Sequence, residues 1–118
     1  MYENVKILIV DDELAILNFL QNVLSDLYKN IDCADSFLSA KSLILKNEYD
    51  LIISDLVLGP NGSGSDLYEI AKKKGCEFIL MSGFLPTINI NEFKYALNKP
   101  FSIEELLNLV EKALKGKN

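Results

Sequence analysis

The stretch YDLIISDLVL, residues 49–58, decides the fold class of this chain. Its apolar residues 51–53 follow one another without a polar residue between them, which is typical of a strand that helices cover on both faces of a parallel sheet. The run then delivers Asp55 and breaks into GPNG at residues 59–62. Ligands of open α/β sheets bind outside the carboxyl ends of the strands, so Asp55 is a candidate site residue, although an Asx turn explains it equally well in isolation.

Composition limits the possible functions. The chain has 118 residues, 49% of them hydrophobic, and a formal net charge of -5, which fits one globular domain over residues 1–118. It has no basic cluster, so neither DNA binding within this chain nor binding to an anionic membrane is expected. Without an apolar run of spanning length or the basic start of a signal peptide, we expect a cytoplasmic protein. The absence of histidine excludes Ser-His and Cys-His nucleophile pairs.

Strand and helix patterns alternate along the chain. Apolar runs predict strands at residues 5–10, 30–34, 51–54, 78–81 and 95–98. Helical periodicity predicts helices at residues 14–27, at residues 36–46, from Ser65 or Asp66 to about residue 74, and from residue 102 onward. With right-handed crossovers, this alternation indicates a doubly wound α/β fold whose five-stranded parallel sheet has the order 2-1-3-4-5 and helices on both faces.

The ends of the helices carry recognisable signals. Asp12 is a candidate N-cap of the first helix, Ser36 caps the second, and Gly75 is the expected stop of the third. Ser102 and Glu105 predict a capping box at the start of the last helix. That helix is expected to bury an apolar stripe formed by Ile103, Leu106, Leu107, Val110 and Leu114.

The predicted strand order brings Asp11, Asp12, Asp55, Ser82 and Lys99 to one edge of the sheet. Each residue alone has an ordinary explanation as a helix cap, turn residue, strand-end hydroxyl or solvated lysine. Their coincidence at one edge has no such explanation. Three close carboxylates repel one another unless a cation compensates, and Mg²⁺ prefers an all-oxygen site of this kind. We therefore expect a Mg²⁺ site.

Four short segments connect the chain to a known family. They are VDDE at residues 10–13, ISDL at 53–56, MSG at 81–83 and NKPF at 98–101. With these segments, in this order and on these strands, the chain resembles the receiver domain of the two-component response-regulator family over essentially its full length. The resemblance also implies a cis peptide bond between Lys99 and Pro100.

The resemblance implies a role for each candidate residue. Asp55 is the expected phosphoryl acceptor, and Ser82 and Lys99 are expected to bind phosphoryl oxygens. The implied Mg²⁺ ligands are Asp11, Asp12, Asp55 and the backbone carbonyl of Val57. The donor would be a sensor histidine kinase or a histidine phosphotransfer protein, and phosphorylation would change the conformation to control a downstream protein. Such a domain assists its own phosphorylation and dephosphorylation, but its main role is signalling.

The sequence departs from the family pattern in three places. Ala96 stands where the family has an aromatic residue, with Tyr95 beside it on the opposite strand face. The span from Ser82 to Lys99 is short, and residues 84–93 fit neither period, so the helix expected there is short or missing. The loop after Asp55 is longer and rich in glycine. An alternative function follows from these departures, a receiver-fold interaction module that acts without phosphorylation.

Two cofactor-binding alternatives fit the residues less well. Residues 59–66 imitate a P-loop, but Ser65 replaces its lysine and Asp66 replaces the hydroxyl residue that holds Mg²⁺. A flavodoxin-like binder would need its phosphate to dock on the loop after the first strand, and that loop is acidic at residues 11–13. Both sites would present carboxylates to an anion, so we expect neither.

Overall fold

The computed structural model describes residues 2–83 and 92–115. The strands are β1 (Tyr2–Val10), β2 (Tyr28–Ala34), β3 (Leu51–Asp55), β4 (Glu77–Ser82) and β5 (Tyr95–Asn98). The helices of the described residues are α1 (Leu14–Leu24), α2 (Phe37–Lys46), α3 (Gly64–Lys73) and α4 (Ile103–Lys115). Neighbouring strands pair in parallel in the order β2-β1-β3-β4-β5, which confirms the predicted fold. The short or missing helix was expected within residues 84–93, of which residues 84–91 lie outside the described residues.

The sheet separates two hydrophobic clusters. Ile7 and Ile9 of β1 pack in one cluster with buried leucines of α1 and α4. Leu8 and Val10 alternate with them and pack in the other cluster with α2 and α3. Every residue of β3 is buried, as expected for a central strand that helices cover on both faces. The strand that carries Asp55 is therefore the buried central strand of the sheet.

The first helix is shorter than its apolar periodicity predicted. It ends at Leu24, and the next strand already begins at Tyr28, two residues before the predicted start. Asp12 is not the N-cap: that position belongs to Glu13, which makes no side-chain cap. Instead, Oδ1 of Asp11 accepts the Glu13 backbone N–H at 2.9 Å. A side chain from the end of β1 thus satisfies a donor at the helix start.

The third helix begins earlier than predicted. Its N-cap is Ser63, and its first residue is Gly64 rather than Ser65 or Asp66. Ser63 and Asp66 form a capping box, in which Oδ2 of Asp66 accepts the Ser63 backbone N–H at 2.9 Å. Because the Asp66 carboxylate lies at this helix start, the loop is a poor site for a second anion, in agreement with the rejection of a P-loop.

The other helix ends largely match the predictions. Ser36 caps α2, Gly75 has a positive φ of 72° after α3, and Ser102 forms the predicted capping box with Glu105. The stripe predicted for the last helix is partly wrong. Ile103 is 49% exposed, and the buried residues of α4 are Leu106, Val110 and Ala113. Periodicity places Ile103 on the apolar side of the helix, but the side chain at this first helical position is not covered.

Tyr49, just before β3, is tied to the edge strand β2. Its hydroxyl donates a 2.6 Å hydrogen bond to Oδ2 of Asp32, and the tyrosine is only 6% exposed. Burial and this hydrogen bond raise the pKa of Tyr49 above its ordinary value. The tyrosine therefore remains a donor to the carboxylate at neutral pH.

Replacing Tyr49 with phenylalanine is expected to lower the free energy of unfolding by about 1.5 kcal/mol, because the Asp32 carboxylate loses a charge-assisted bond. Urea denaturation measures the change. Because the folded-state pKa of Tyr49 is raised, its contribution to the free energy of unfolding is fully present below the ordinary tyrosine pKa. The loss of stability in the phenylalanine variant should therefore be constant between about pH 6 and pH 9. In a double-mutant cycle with Asp32→Asn, the two losses should be less than additive; full additivity would show that the bond contributes nothing.

Candidate functional site

The carboxyl ends of four strands place the predicted site residues at or next to one cavity. Asp11 follows β1, Asp55 ends β3, Ser82 ends β4, and Lys99 follows β5. The cavity has a volume of about 400 Å³ and is lined by Asp12, Glu13, Asp55, Val57, Ser82, Gly83 and Lys99. The predicted site residues are thus brought together, with Asp11 fully buried behind them. The sequence did not lead us to predict Glu13 and Gly83 as site residues, although each is the last residue of a motif that we had identified.

Three carboxylates form the acidic part of the site. Oxygen atoms of Asp11, Asp12 and Asp55 all lie within 4.8 Å of one another. Asp11 is fully buried, Asp55 is 8% exposed, and Asp12 is exposed. Carboxylate oxygens at this spacing, without His or Cys, form a donor set suited to a hard divalent cation.

Lys99 provides the counter-charge to two of these carboxylates. Its Nζ donates to Oδ2 of Asp11 at 2.9 Å and lies 3.3 Å from Oδ1 of Asp55. Burial alone would lower the pKa of Lys99, but the Asp11 hydrogen bond and the charges of both carboxylates outweigh it and raise the pKa. The lysine is therefore a fixed positive charge at neutral pH.

Asp55 has the opposite electrostatic balance. Burial and the charge of Asp11 raise its pKa, while Lys99 and the backbone N–H of Leu56 act against them. The carboxylate is therefore destabilised relative to an aspartate in water. A cation at this site would stabilise the charged form of Asp55 directly.

Replacing Asp55 with asparagine is expected to stabilise the fold at pH 7 without Mg²⁺. Two like charges 4 Å apart near a protein surface repel by about 4 kcal/mol, and Lys99 offsets most of this, so we expect a gain of about 1 kcal/mol. Because the folded-state pKa of Asp55 lies above the ordinary 3.8, wild type loses stability as the pH rises from 3.8 through the folded-state pKa. The gain should therefore vanish below pH 3.8. Denaturation in EDTA measures it, with exposed Asp26→Asn as control; a less stable Asp55→Asn would contradict the explanation.

The ends of β4 and β5 are joined next to the site. The backbone N–H of Lys99 donates to the Ser82 carbonyl at 3.0 Å, and Ser82 is 1% exposed. The Lys99-Pro100 peptide bond is cis, as expected. Tyr95 is 5% exposed in the cluster with α1 and α4, whereas Ala96 lies on the other strand face. As predicted, Tyr95 and Ala96 lie on opposite strand faces, so the Tyr95 ring does not occupy the place of an aromatic side chain at position 96.

The loop after Asp55 is anchored at several points. Leu56 donates its N–H to the Met81 carbonyl at 2.9 Å, and its carbonyl accepts the N–H of Gly64 at 2.8 Å. Val57 and Ser63 form an antiparallel bridge, and the Val57 residue is 54% exposed beside the cavity. The loop therefore closes back on itself.

Comparison with known proteins agrees with this architecture. A doubly wound sheet with an acidic triad, a hydroxyl and a lysine at its carboxyl edge combines a carboxylate nucleophile with charge compensation, an arrangement suited to phosphoryl transfer. The response regulator receiver domain family matches residues 7–111, and the chain belongs to this family. Membership implies phosphoacceptor signalling in two-component systems. In the part of the chain that the structure describes, no helix is long and apolar enough to cross a membrane.

Three relatives illustrate the similarity. The probable transcriptional regulatory protein SilR of Salmonella typhimurium is 31% identical over 121 residues, which cover 96% of this chain and 52% of SilR. The receiver domain of the Francisella response regulator 1452 is 29% identical with a TM-score of 0.86, covering 98% of this chain and 100% of that one. Response regulator TrrA from Thermotoga maritima, solved in complex with Mg²⁺-BeF, is 30% identical with a TM-score of 0.79 and coverages of 97% and 100%. The chain thus spans about half the length of SilR.

Proposed function

We propose that this domain accepts a phosphoryl group on Asp55 from a sensor histidine kinase or a histidine phosphotransfer protein. The observation that carries the proposal is the setting of the Asp55 carboxylate. It lines an open cavity, lies 3.3 Å from Nζ of Lys99 and is grouped with the oxygens of Asp11 and Asp12 within 4.8 Å. Since residues 1–118 contain no histidine, the donor phosphohistidine has to lie outside this stretch of sequence.

The transfer uses the Asp55 carboxylate as nucleophile. One carboxylate oxygen forms a bond to phosphorus while the bond from phosphorus to the donor nitrogen breaks, and the electron pair of that bond stays on the nitrogen. Catalysis of phosphoryl transfer consists mainly of positioning and charge compensation. Ser82 and Lys99 line the same cavity, so their hydroxyl and ammonium groups are the proposed contacts for the phosphoryl oxygens.

The same site is suited to Mg²⁺. The proposed ligands are side-chain oxygens of Asp11, Asp12 and Asp55 together with the Val57 carbonyl. Their donor atoms are all oxygens, which Mg²⁺ prefers, and the related TrrA domain was solved with Mg²⁺-BeF. When bound, Mg²⁺ supplies positive charge that offsets both the acidic triad and the phosphoryl oxygens.

The signal follows from competition for Lys99. Phosphorylation adds roughly -1.5 to -2 charge units at the end of β3. The ammonium that donates to Asp11 at 2.9 Å is then drawn toward the phosphoryl group, and Lys99 is joined through its backbone to Ser82. We propose that the ends of β4 and β5 shift together and change the surface offered to a downstream protein.

Intact mass spectrometry tests the proposal. Incubation with Mg²⁺ and acetyl phosphate should add one phosphoryl group to wild type and to Asp26→Asn, an exposed control, but none to Asp55→Asn. EDTA should prevent the adduct. If wild type stays unmodified with acetyl phosphate and with a phosphorylated histidine kinase, the proposal is wrong. That result would favour the alternative of an interaction module without phosphorylation, for which Ala96 in place of an aromatic residue is the supporting feature.

A further inference from the structure

Four polar or charged side chains are buried among the described residues, and the proposed function uses only three of them. These four are Asp11, Ser54, Asp55 and Ser82. Ser54 is fully buried and directly precedes the proposed phosphoryl acceptor. A hydroxyl in such a place needs a physical reason, since an apolar residue of similar size would fit a sheet interior without a polar group to satisfy.

Apolar neighbours surround Ser54 in the sheet. Its register partners are Val10 on β1 and Leu80 on β4, both fully buried. Burying a hydroxyl in such surroundings costs about 1–3 kcal/mol unless it finds a hydrogen-bond partner. The Ser54 hydroxyl finds one by donating to the backbone carbonyl of Asp55 at 2.9 Å. Its polar atom is therefore directed at the backbone of the acceptor residue.

This bond is the first of three that hold consecutive groups of the backbone. The Asp55 carbonyl accepts a hydrogen bond from the Ser54 hydroxyl. The Leu56 N–H that follows donates to the Met81 carbonyl at 2.9 Å, and the Leu56 carbonyl accepts the N–H of Gly64 at 2.8 Å. The latter two bonds come from the backbones of β4 and α3. Only the Ser54 bond depends on a side chain, so it is the one that a substitution can remove without altering the main chain.

We propose that Ser54 is a positioning residue for the Asp55 carboxylate. By holding the peptide plane that follows Asp55, its hydroxyl fixes the direction in which the carboxylate leaves the strand and enters the cavity. Misplacement of a reacting group by a fraction of an ångström slows transfer because the aligned geometry supplies much of the rate. The inference rests on the proposed phosphorylation of Asp55.

Three variants test this role. Ser54→Ala removes the hydroxyl, Ser54→Thr keeps it and suits a strand, and Ser25→Ala is the matched control. Ser25 also donates its hydroxyl to a backbone carbonyl, that of Asn22 at 3.1 Å, but at the exposed C-terminal end of α1, whose opposite end adjoins the cavity. Phosphorylation rates with acetyl phosphate and saturating Mg²⁺ are followed by intact mass, and circular dichroism at the assay temperature reports the folded fraction.

We expect Ser54→Ala to remain folded and to react about tenfold more slowly than wild type. Ser54→Thr and Ser25→Ala should react within about twofold of wild type. A merely structural hydroxyl would lower the unfolding temperature without changing the rate of the folded protein, and that result overturns the inference, as does a Thr variant as slow as the Ala variant. If wild type itself forms no adduct, the proposed function fails, and the positioning role fails with it.

Discussion

Replacing Lys99 with methionine should lower the free energy of unfolding by about 3 kcal/mol at neutral pH in the absence of Mg²⁺. Lys99 donates to the fully buried Asp11 at 2.9 Å and lies 3.3 Å from Asp55. Methionine occupies a similar volume, but it leaves two neighbouring buried carboxylates without their counter-charge. Removing one partner of a buried pair costs far more than losing a surface ion pair.

Three controls separate this electrostatic effect from a packing effect. Lys41→Met, at an exposed position on α2, should change stability by less than about 0.5 kcal/mol. Adding Asp11→Asn to Lys99→Met should recover most of the loss, because the uncompensated charge disappears. Millimolar Mg²⁺ should stabilise the Lys99→Met variant more than wild type. If urea denaturation shows no recovery with either change, the loss comes from packing and the proposed charge balance is incorrect.

Gly64→Ala is the second substitution with a large expected effect. A Cβ at this position would lie 2.3 Å from the carbonyl oxygen of Asp55 and 3.1 Å from Cα of Leu56, both backbone atoms. No rotamer change can relieve a contact with the main chain, so the start of α3 has to move away from β3. We expect a loss of about 3 kcal/mol in the free energy of unfolding, at the upper end of overpacking effects.

The same substitution should also impair the site, since the crowded backbone belongs to Asp55, the proposed phosphoryl acceptor. Phosphorylation of folded Gly64→Ala by acetyl phosphate is expected to be at least tenfold slower than that of wild type. Gly83→Ala is the control: a Cβ there meets no atom within 4 Å among the described residues, and stability should change by less than about 0.5 kcal/mol. Equal stability of the two variants would show that α3 and β3 adjust freely.

Much of the fold follows from local patterns. The uninterrupted apolar run before Asp55 predicts a doubly covered strand, and β3 is buried at every position. Helix caps at Ser36 and Ser102 were recognised because capping depends on hydrogen bonds between residues three positions apart. The cap of α3 was missed at Ser63, whose signal lay inside a loop with several other candidate caps. The burial of Ile103 was overestimated because periodicity shows which face of a helix is apolar but not how much of that face is covered.

The components of the site were identifiable from sequence because the predicted strand order brings the carboxyl ends of four strands to one edge of the sheet. The pairing of Lys99 with Asp11 at the shorter distance was not predictable, since it depends on how far each side chain extends from its strand end. The Ser54 hydrogen bond and the close approach at Gly64 were also missed. The first depends on the direction of a buried side chain, which residue type does not show, and the second on how closely the start of α3 approaches the end of β3.

The sequence by itself determined the alternation of strands and helices, the strand that carries Asp55 and the acidic residues that accompany it. These properties are encoded in hydrophobic period and residue type, which act over a few neighbouring positions. Only the tertiary structure decided which carboxylate Lys99 binds more closely, what the buried hydroxyl of Ser54 holds, and why position 64 is glycine. Such features depend on distances between atoms brought together by packing, and those distances are set by the whole domain.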